Sequence, residues 1–164
     1  MRWIWVDRIL EFRPREFARA VKLWTFAEEV FAAHFPEFPV IPASLLLEGL
    51  AQTGGILVGD ANDYREKVIL AKFPKARFFF DAFAGQELIY DVTLVQLREE
   101  GAVVEGKITV EGATLAEAEI YFAHLDQSRS QQVFGDRNFV FSGELKNLLG
   151  LVKRPPQSPA SPAP

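Results

Sequence analysis

The stretch from His34 to Gln52, HFPEFPVIPASLLLEGLAQ, decides the fold of this protein. Prolines stand at every third position of its first half, and each fixes its own φ angle and restricts the preceding residue, so this half is stiff and extended. Pro42 suits the first turn of a helix, where its missing N–H costs nothing. Residues 43 to 58 are apolar on all sides, which is typical of a buried helix. The stretch therefore predicts a stiff loop followed by one buried helix of about four turns.

The chain on both sides of this helix is typical of strands. Runs rich in Val, Ile, Thr, Tyr and Phe alternate with turn signals such as Glu100-Gly101 and Gly112-Ala113. The predicted strands span residues 3–12, 17–26, 67–73, 75–80, 87–98, 103–111 and 115–125, with a break at Pro74. Tight turns between them favour antiparallel pairing. Five to seven antiparallel strands and one buried helix predict an α+β fold in which a curved sheet wraps around the helix.

The composition excludes several classes of function. The 164 residues include no cysteine, so disulfides, thiolate zinc sites and cysteine nucleophiles are excluded. Two histidines leave little material for an imidazole-rich metal site. A formal net charge of -4 argues against nucleic-acid binding. The longest weakly charged stretch, from Pro39 to Gly59, contains Glu48, so we predict no membrane span and expect a cytoplasmic protein.

The chain divides into one domain and two appendages. Residues 1–125 form the predicted domain. Residues 126–154 are polar at first and then carry short apolar runs, so we interpret them as an extension packed on the body. Five of the ten prolines fall within residues 155–164, which predicts a disordered, Pro-rich tail.

Two titratable side chains in the deciding stretch are candidates for acid–base chemistry. Glu48 is the only charged residue between Val40 and Val58, and it shares a helix face with Ser44 and Gln52 through i, i+4, i+8 spacing. A carboxyl group in such a helix is a candidate proton donor, and the stiff loop holds His34 beside the helix as its counterpart. Two other interpretations stay open: Glu48 faces water in a groove without a role, and His34 is structural.

This stretch resembles the 3-hydroxyacyl-acyl-carrier-protein dehydratase family of fatty acid synthesis, whose fold is the hot-dog fold. The family pattern is H-F-P-G-x-P-(I/V)-x-P-G-x-L-x-x-E-A-x-A-Q. The matching positions are His34, Phe35, Pro36, Pro39, Val40, Pro42, Leu45, Glu48, Ala51 and Gln52. Family-like segments also occur at residues 6–8, 75–78 and 116–119, so the resemblance covers residues 3 to 125. The resemblance therefore implies a hot-dog domain.

The resemblance also implies a reaction, a hydro-lyase dehydration that needs no metal and no redox cofactor. His34 would remove a proton from C2 of a 3-hydroxyacyl thioester, and Glu48 would protonate the departing C3 hydroxyl to leave a trans-2-enoyl thioester. The backbone N–H of Ala43 would donate to the thioester oxygen, where the helix dipole favours negative charge. The Val40 carbonyl would hold the other imidazole nitrogen. Glu48, in place of Asp, resembles the branch that dehydrates without isomerising.

The family further implies an oligomer and a protein partner. Its histidine and glutamate usually come from different subunits, so the resemblance implies a homodimer or a trimer of dimers with the acyl tunnel along the interface. Phe78 and Phe80 would line that tunnel, although packing in the core or the interface is an equal alternative. Lys75 and Arg77 would attract an acidic acyl carrier protein, although a solvated strand edge explains them as well.

Three family glycines are replaced here, and two other functions stay open. Ala33, Glu37 and Ala43 occupy the glycine positions, which suggests a specialised pathway and predicts backbone strain at Glu37 if its φ is positive. The first alternative is a hot-dog thioesterase or a hydratase acting on CoA thioesters. The second is a catalytically silent acyl-binding partner subunit. His124, near the end of the last predicted strand, is interpreted as structural.

Overall fold

A computed structural model describes residues 3–125 and 150 as six strands and two helices. The strands are β1 (Arg8–Arg13), β2 (Phe17–Leu23), β3 (Lys67–Phe78), β4 (Glu87–Leu97), β5 (Gly101–Val110) and β6 (Ala113–Leu125). The helices are α1 (Val30–Ala33) and α2 (Ala43–Ala61). The predictions for residues 126–154 and 155–164 lie outside the described residues, apart from residue 150.

All strands join one antiparallel sheet in the order β1-β2-β4-β5-β6-β3. Helix α2 packs on one face of this sheet and contacts β2, β3, β4, β5 and β6. Its side chains Leu50, Ile56, Leu57 and Val58 are almost completely buried. The predicted α+β architecture, with one buried helix against a single sheet, is confirmed.

Two local predictions are wrong. The strand break at Pro74 does not occur, because β3 continues from Lys67 to Phe78 and only its register against β6 shifts around this residue. A proline is tolerated there because β3 is an edge strand, where one side of the backbone needs no sheet partner. The strand predicted over residues 3–12 begins only at Arg8, because residues 3 to 7 contact α2 and β2 instead.

The sheet face opposite α2 carries a row of charges that alternate in sign. One residue from each strand contributes, and consecutive members lie directly opposite each other in the strand register. In sheet order they are Glu11, Arg19, Asp91, Lys107, Glu117 and Arg77. Arg19 binds Asp91 with two hydrogen bonds of 2.6 and 3.0 Å. Opposite charges facing each other across strands stabilise the sheet by about 0.2–1 kcal/mol each. This row keeps the outer face polar.

A close contact beneath α2 predicts a strong effect of a single methyl group. A Cβ atom at Gly49 would lie 2.5 Å from Cζ of the fully buried Tyr90. We expect Gly49→Ala to lower the free energy of unfolding by about 1–3 kcal/mol, measured by chemical denaturation. The same substitution in a Tyr90→Leu background should cost clearly less. An equal cost in both backgrounds would contradict the steric explanation.

Candidate active site

His34 lies at the C-terminal end of α1, where the chain enters the stiff loop. Its backbone N–H donates to the Val30 carbonyl over 2.9 Å, and its partly buried ring stacks on Phe35 with centroids 4.2 Å apart. Phe35 and Phe38 exchange two backbone hydrogen bonds of 3.3 and 3.0 Å, which closes a turn around Glu37. Glu37 is not among the described residues with positive φ, so the expected strain is absent.

Backbone pairing holds the rest of this loop against the segment that follows β3. The Ile41 N–H donates to the Ala82 carbonyl over 2.7 Å, and the Ala84 N–H donates to the Pro39 carbonyl over 3.0 Å. The Phe38 ring meets the Phe83 ring edge-to-face at 5.1 Å. The loop is therefore stiff through tertiary contacts as well as through its prolines.

One expected hydrogen bond of His34 does not form. Its Nδ1 atom is buried and has no hydrogen-bond partner within the described residues, so the contact with the Val40 carbonyl is absent. The Val40 N–H itself donates to the Phe38 carbonyl over 2.7 Å. The stacking of the imidazole on Phe35 orients the ring in its place.

Glu48 is held by Gln52, one turn further along α2. Gln52 Nε2 donates to Glu48 Oε1 and to the Trp3 carbonyl, both over 3.0 Å. Gln52 Oε1 accepts the Trp5 N–H over 2.8 Å. Only 8% of Gln52 is exposed, while Glu48 is partly buried. Gln52 therefore joins the N-terminal segment to the candidate acid, a role that its spacing alone did not reveal; Ser44, the third residue of the predicted polar face, is exposed.

We expect Gln52→Leu to lower kcat by about 10- to 100-fold, because it removes the hydrogen bond that holds the Glu48 carboxyl group in place. Initial rates of the dehydration that the resemblance implies, at saturating substrate, measure the effect. Thr53→Val is the matched control, because Thr53 is fully buried on the same helix and its hydroxyl donates to the Gly49 carbonyl over 2.8 Å, away from Glu48 Oε1. Equal rate losses in the two variants would contradict an orienting role for Gln52.

The first turn of α2 offers free backbone donors. Pro42 stands before the helix, and its carbonyl accepts the N–H groups of Leu45 and Leu46. The N–H of Ala43, the first helical residue, has no acceptor in the described part of the chain, and the residue is exposed. A helix N-terminus with an unpaired N–H favours developing negative charge. Ala43 therefore stays a candidate donor to an oxyanion.

Exposed phenylalanines cluster in the sequence around this loop and the end of β3. Phe78 and Phe80 are 38% and 41% exposed, so their packing in the monomer core is excluded. Phe35 and Phe38 are about half exposed, and the loop that carries them pairs with residues 82–84. Groups of exposed apolar side chains are typical of surfaces that bind another protein or a ligand. A tunnel or an interface remains as their predicted role.

Lys75 and Arg77 lie on the charged outer face of the sheet. Lys75 is opposite Glu119 and Arg77 is opposite Glu117 in the register of β3 and β6. The Arg77 guanidinium also lies 4.8 Å from the centre of the Phe79 ring. Acidic partners offset both cations, which weakens the attraction that they would exert on an acidic protein.

His124, the remaining candidate side chain, lies next to the last residue of β6. The His124 side chain is nearly buried, and its Nδ1 lies 3.1 Å from the Glu99 carbonyl oxygen.

Among the described residues, no group of three or more His, Cys, Asp or Glu side chains is arranged to hold a metal ion. Over the same residues, no helix has the length and apolar character needed to cross a membrane.

Comparisons with known proteins agree on one family. The family model described as a FabA-like domain matches residues 3–119. A 3-hydroxyacyl-acyl-carrier-protein dehydratase FabZ from Campylobacter lari is 35% identical over 120 residues, which are 70% of this chain and 82% of that protein. The protein of the same name from Oceanobacillus iheyensis is 37% identical over 119 residues, with 72% and 85% covered.

Solved structures are similar in fold at low sequence identity. The dehydratase heterocomplex ApeI:P from Xenorhabdus doucetiae gives a TM-score of 0.65 at 14% identity, with 82% of this chain and 91% of that chain covered. A hypothetical thioesterase with coenzyme A from Streptococcus pneumoniae gives 0.60 at 11% identity, with 73% and 86% covered. At these identities the likeness concerns the fold alone, and it is the hot-dog fold expected from the sequence.

Proposed function

The chain belongs to the FabA-like family, and from that premise we propose that it dehydrates a 3-hydroxyacyl thioester carried on an acyl carrier protein. The product is the trans-2-enoyl thioester, and the reaction class is that of a hydro-lyase. The observation that carries the proposal is the carboxyl group of Glu48, held by Gln52 on a helix whose first turn offers a free N–H. The FabZ relatives, at 35% to 37% identity over most of both chains, support it.

We assign the two proton transfers to His34 and Glu48. His34 takes the C2 proton, and the electrons of that C–H bond form the C2=C3 double bond. The C3–O bond breaks as Glu48 gives its proton to the departing hydroxyl, so one water molecule leaves. The Ala43 N–H stabilises the charge that develops on the thioester oxygen. The scheme needs no metal and no redox cofactor.

We propose that two copies of the chain pair along the outer edge of β3. This strand is 12 residues long and, among residues 3–125, pairs only with β6, so its other edge has no strand partner within that range. The opposite edge of the sheet, β1, is six residues long and bears Glu11 and Arg13, features that guard an edge against pairing. A two-fold axis between the two copies of β3, perpendicular to the sheet, would pair these strands antiparallel and bring the exposed phenylalanines of both copies closer together. His34 of one subunit and Glu48 of the other then form each site.

The proposed partner is an acyl carrier protein, and the proposed location is the cytoplasm. Lys75 and Arg77 stay candidate carrier contacts, within the limits that Glu119 and Glu117 impose. Phe78 and Phe80 stay candidate tunnel residues.

A product assay tests the proposed function. Purified protein is incubated with a 3-hydroxyacyl thioester on acyl carrier protein and, in a second arm, on CoA. The conjugated enoyl product is followed by its absorbance, and free thiol is titrated in parallel. We expect enoyl thioester without free thiol, and faster turnover with the carrier protein. Free thiol would instead indicate a thioesterase, preference for CoA a CoA-thioester hydratase, and no turnover a silent acyl-binding subunit.

A further inference from the structure

A buried lysine lies between two carboxylates on the side of the sheet that supports both candidate catalytic residues. The Lys22 side chain, on β2, is only 7% exposed. Its Nζ lies 3.1 Å from Oδ1 of Asp7 and 2.6 Å from Oε1 of Glu28. A buried ammonium group is costly unless it is paired, and this one is paired twice. Lys22, Asp7 and Glu28 are called the ion triad below.

The Asp7 side of the ion triad leads to Glu48. Asp7 Oδ2 accepts the Leu23 N–H over 2.8 Å, and the Asp7 N–H donates to the Val21 carbonyl over 2.8 Å, so the N-terminal segment is fixed to β2. Two residues earlier, the Trp5 N–H donates to Gln52, and Gln52 donates to Glu48. A continuous set of hydrogen bonds and two residues of backbone therefore join Lys22 to the candidate acid.

The Glu28 side of the ion triad leads to His34. The Glu28 N–H closes a turn by donating to the Thr25 carbonyl over 3.1 Å, and the Glu28 carbonyl accepts the Phe31 N–H over 3.1 Å. Phe31 lies in α1, and that helix ends in the hydrogen bond from the His34 N–H to the Val30 carbonyl. Lys22 thus anchors the start of the single helical turn whose end carries the candidate base.

Aromatic contacts also join the N-terminal segment and α1 to β2 through the adjacent Trp24. The Trp24 ring stacks on Trp5 with centroids 5.0 Å apart and an interplanar angle of 6°. The same ring meets Phe31 edge-to-face at 6.3 Å, and Lys22 Nζ lies 5.7 Å from its centre. Trp5, Trp24 and Phe31 are each at most 2% exposed. Aromatic packing around Trp24 and ion pairing at Lys22 therefore join the same two segments, the N-terminal segment and α1.

We propose that Lys22 is a positioning residue for both proton transfers. Through Asp7 it holds the N-terminal segment that contacts Gln52 and Glu48, and through Glu28 it holds the turn that leads into α1 and His34. It thereby fixes the positions of these two segments relative to each other. The inference rests on the proposed function for its kinetic consequence. Lys22 does not touch substrate in this scheme; it acts through Asp7 on Glu48 and through Glu28 on His34. Removing its charge releases both supports while the core of α2 and the sheet stays packed.

The first test uses the two histidines of the chain as probes. Protein with 15N-labelled histidine gives two sets of imidazole NMR signals, and a His34→Asn sample assigns them. We expect Lys22→Met to shift or broaden the His34 signals and to leave those of His124 unchanged. The matched control is Lys107→Met, since Lys107 also faces two carboxylates, Asp91 and Glu117, but on the exposed outer face. Unchanged His34 signals in folded Lys22→Met would overturn the proposal.

The second test separates the two routes by kinetics. Asp7→Asn and Glu28→Gln keep side-chain shape at positions that are 46% and 27% exposed, so they remain usable if Lys22→Met does not fold. Each is expected to lower kcat by about tenfold with little change in KM, the factor that corresponds to about 1.4 kcal/mol. In a Glu48→Gln background, Asp7→Asn should cost less than about threefold, and in a His34→Asn background Glu28→Gln should likewise cost less than about threefold, since coupling makes effects non-additive.

The outcomes distinguish this inference from the proposed function. Undiminished activity of both His34→Asn and Glu48→Gln would remove the catalytic assignment, and the NMR experiment would then still decide whether Lys22 holds His34. Loss of activity in those variants, with Asp7→Asn multiplying fully in the Glu48→Gln background and Glu28→Gln multiplying fully in the His34→Asn background, would overturn the inference alone. Rate losses that only follow a lowered melting temperature would likewise assign the ion triad to stability.

Discussion

Glu48→Gln and His34→Ala are each expected to lower kcat for enoyl thioester formation by about 10²–10⁴-fold, the usual contribution of a positioned acid or base. Glutamine keeps the shape of the carboxyl group and its contact with Gln52 but has no proton to give to the leaving hydroxyl. Alanine at position 34 removes the base that takes the C2 proton. The change is measured as initial rate at saturating 3-hydroxyacyl-carrier thioester, with substrate affinity determined separately.

The control for this prediction is Glu37→Gln, which removes a carboxyl group from the exposed turn of the same loop. It should leave kcat within a factor of about two, since an exposed charge outside the site contributes little. The double variant His34→Ala/Glu48→Gln should fall much less than the product of the two single losses, because residues that act as a unit are not additive. Retention of more than a tenth of the activity by Glu48→Gln would refute its role as the acid.

Mixing two inactive variants is expected to restore activity. His34→Ala and Glu48→Gln chains, unfolded together and refolded, assort at random, so half of the dimers are mixed. Each mixed dimer has one site with an intact His34 and an intact Glu48, if the two residues come from different subunits. The recovered rate should therefore approach roughly a quarter of the wild-type rate, as the two-fold symmetry requires.

The comparison sample is the double variant His34→Ala/Glu48→Gln refolded with wild-type chain. In each of those mixed dimers, both sites lack one of the two residues and are inactive. Only the wild-type dimers, one quarter of all dimers, are active, so the rate should again be roughly a quarter of the wild-type rate. The two mixtures together test whether each site takes its residues from two subunits. If both residues of a site came from one chain, the first mixture would stay inactive while the second would recover half. Size-exclusion chromatography establishes the dimer in each sample.

The sequence predicted the architecture well because the decisive signals are local. A helix that is apolar on all sides and strands separated by Gly-containing turns are read from neighbouring residues, and both are confirmed in α2 and in the sheet. The strand break predicted at Pro74 is wrong, because the sequence alone does not reveal that β3 is an edge strand, in which a missing N–H is tolerated. The exposed Phe78 and Phe80 likewise depend on which elements cover them, and that is a property of the assembled sheet.

What the amino-acid order determined by itself is the loop with His34, the buried helix with Glu48 and the family to which their spacing belongs. Only the tertiary structure decided that Gln52 orients Glu48 through Trp3 and Trp5, residues that lie almost fifty positions earlier in the chain. It also decided that Lys22 lies between Asp7 and Glu28. The reason is physical: periodicity and turn chemistry act over a few residues, whereas a buried polar contact exists only once packing has brought distant segments together and removed the water between them.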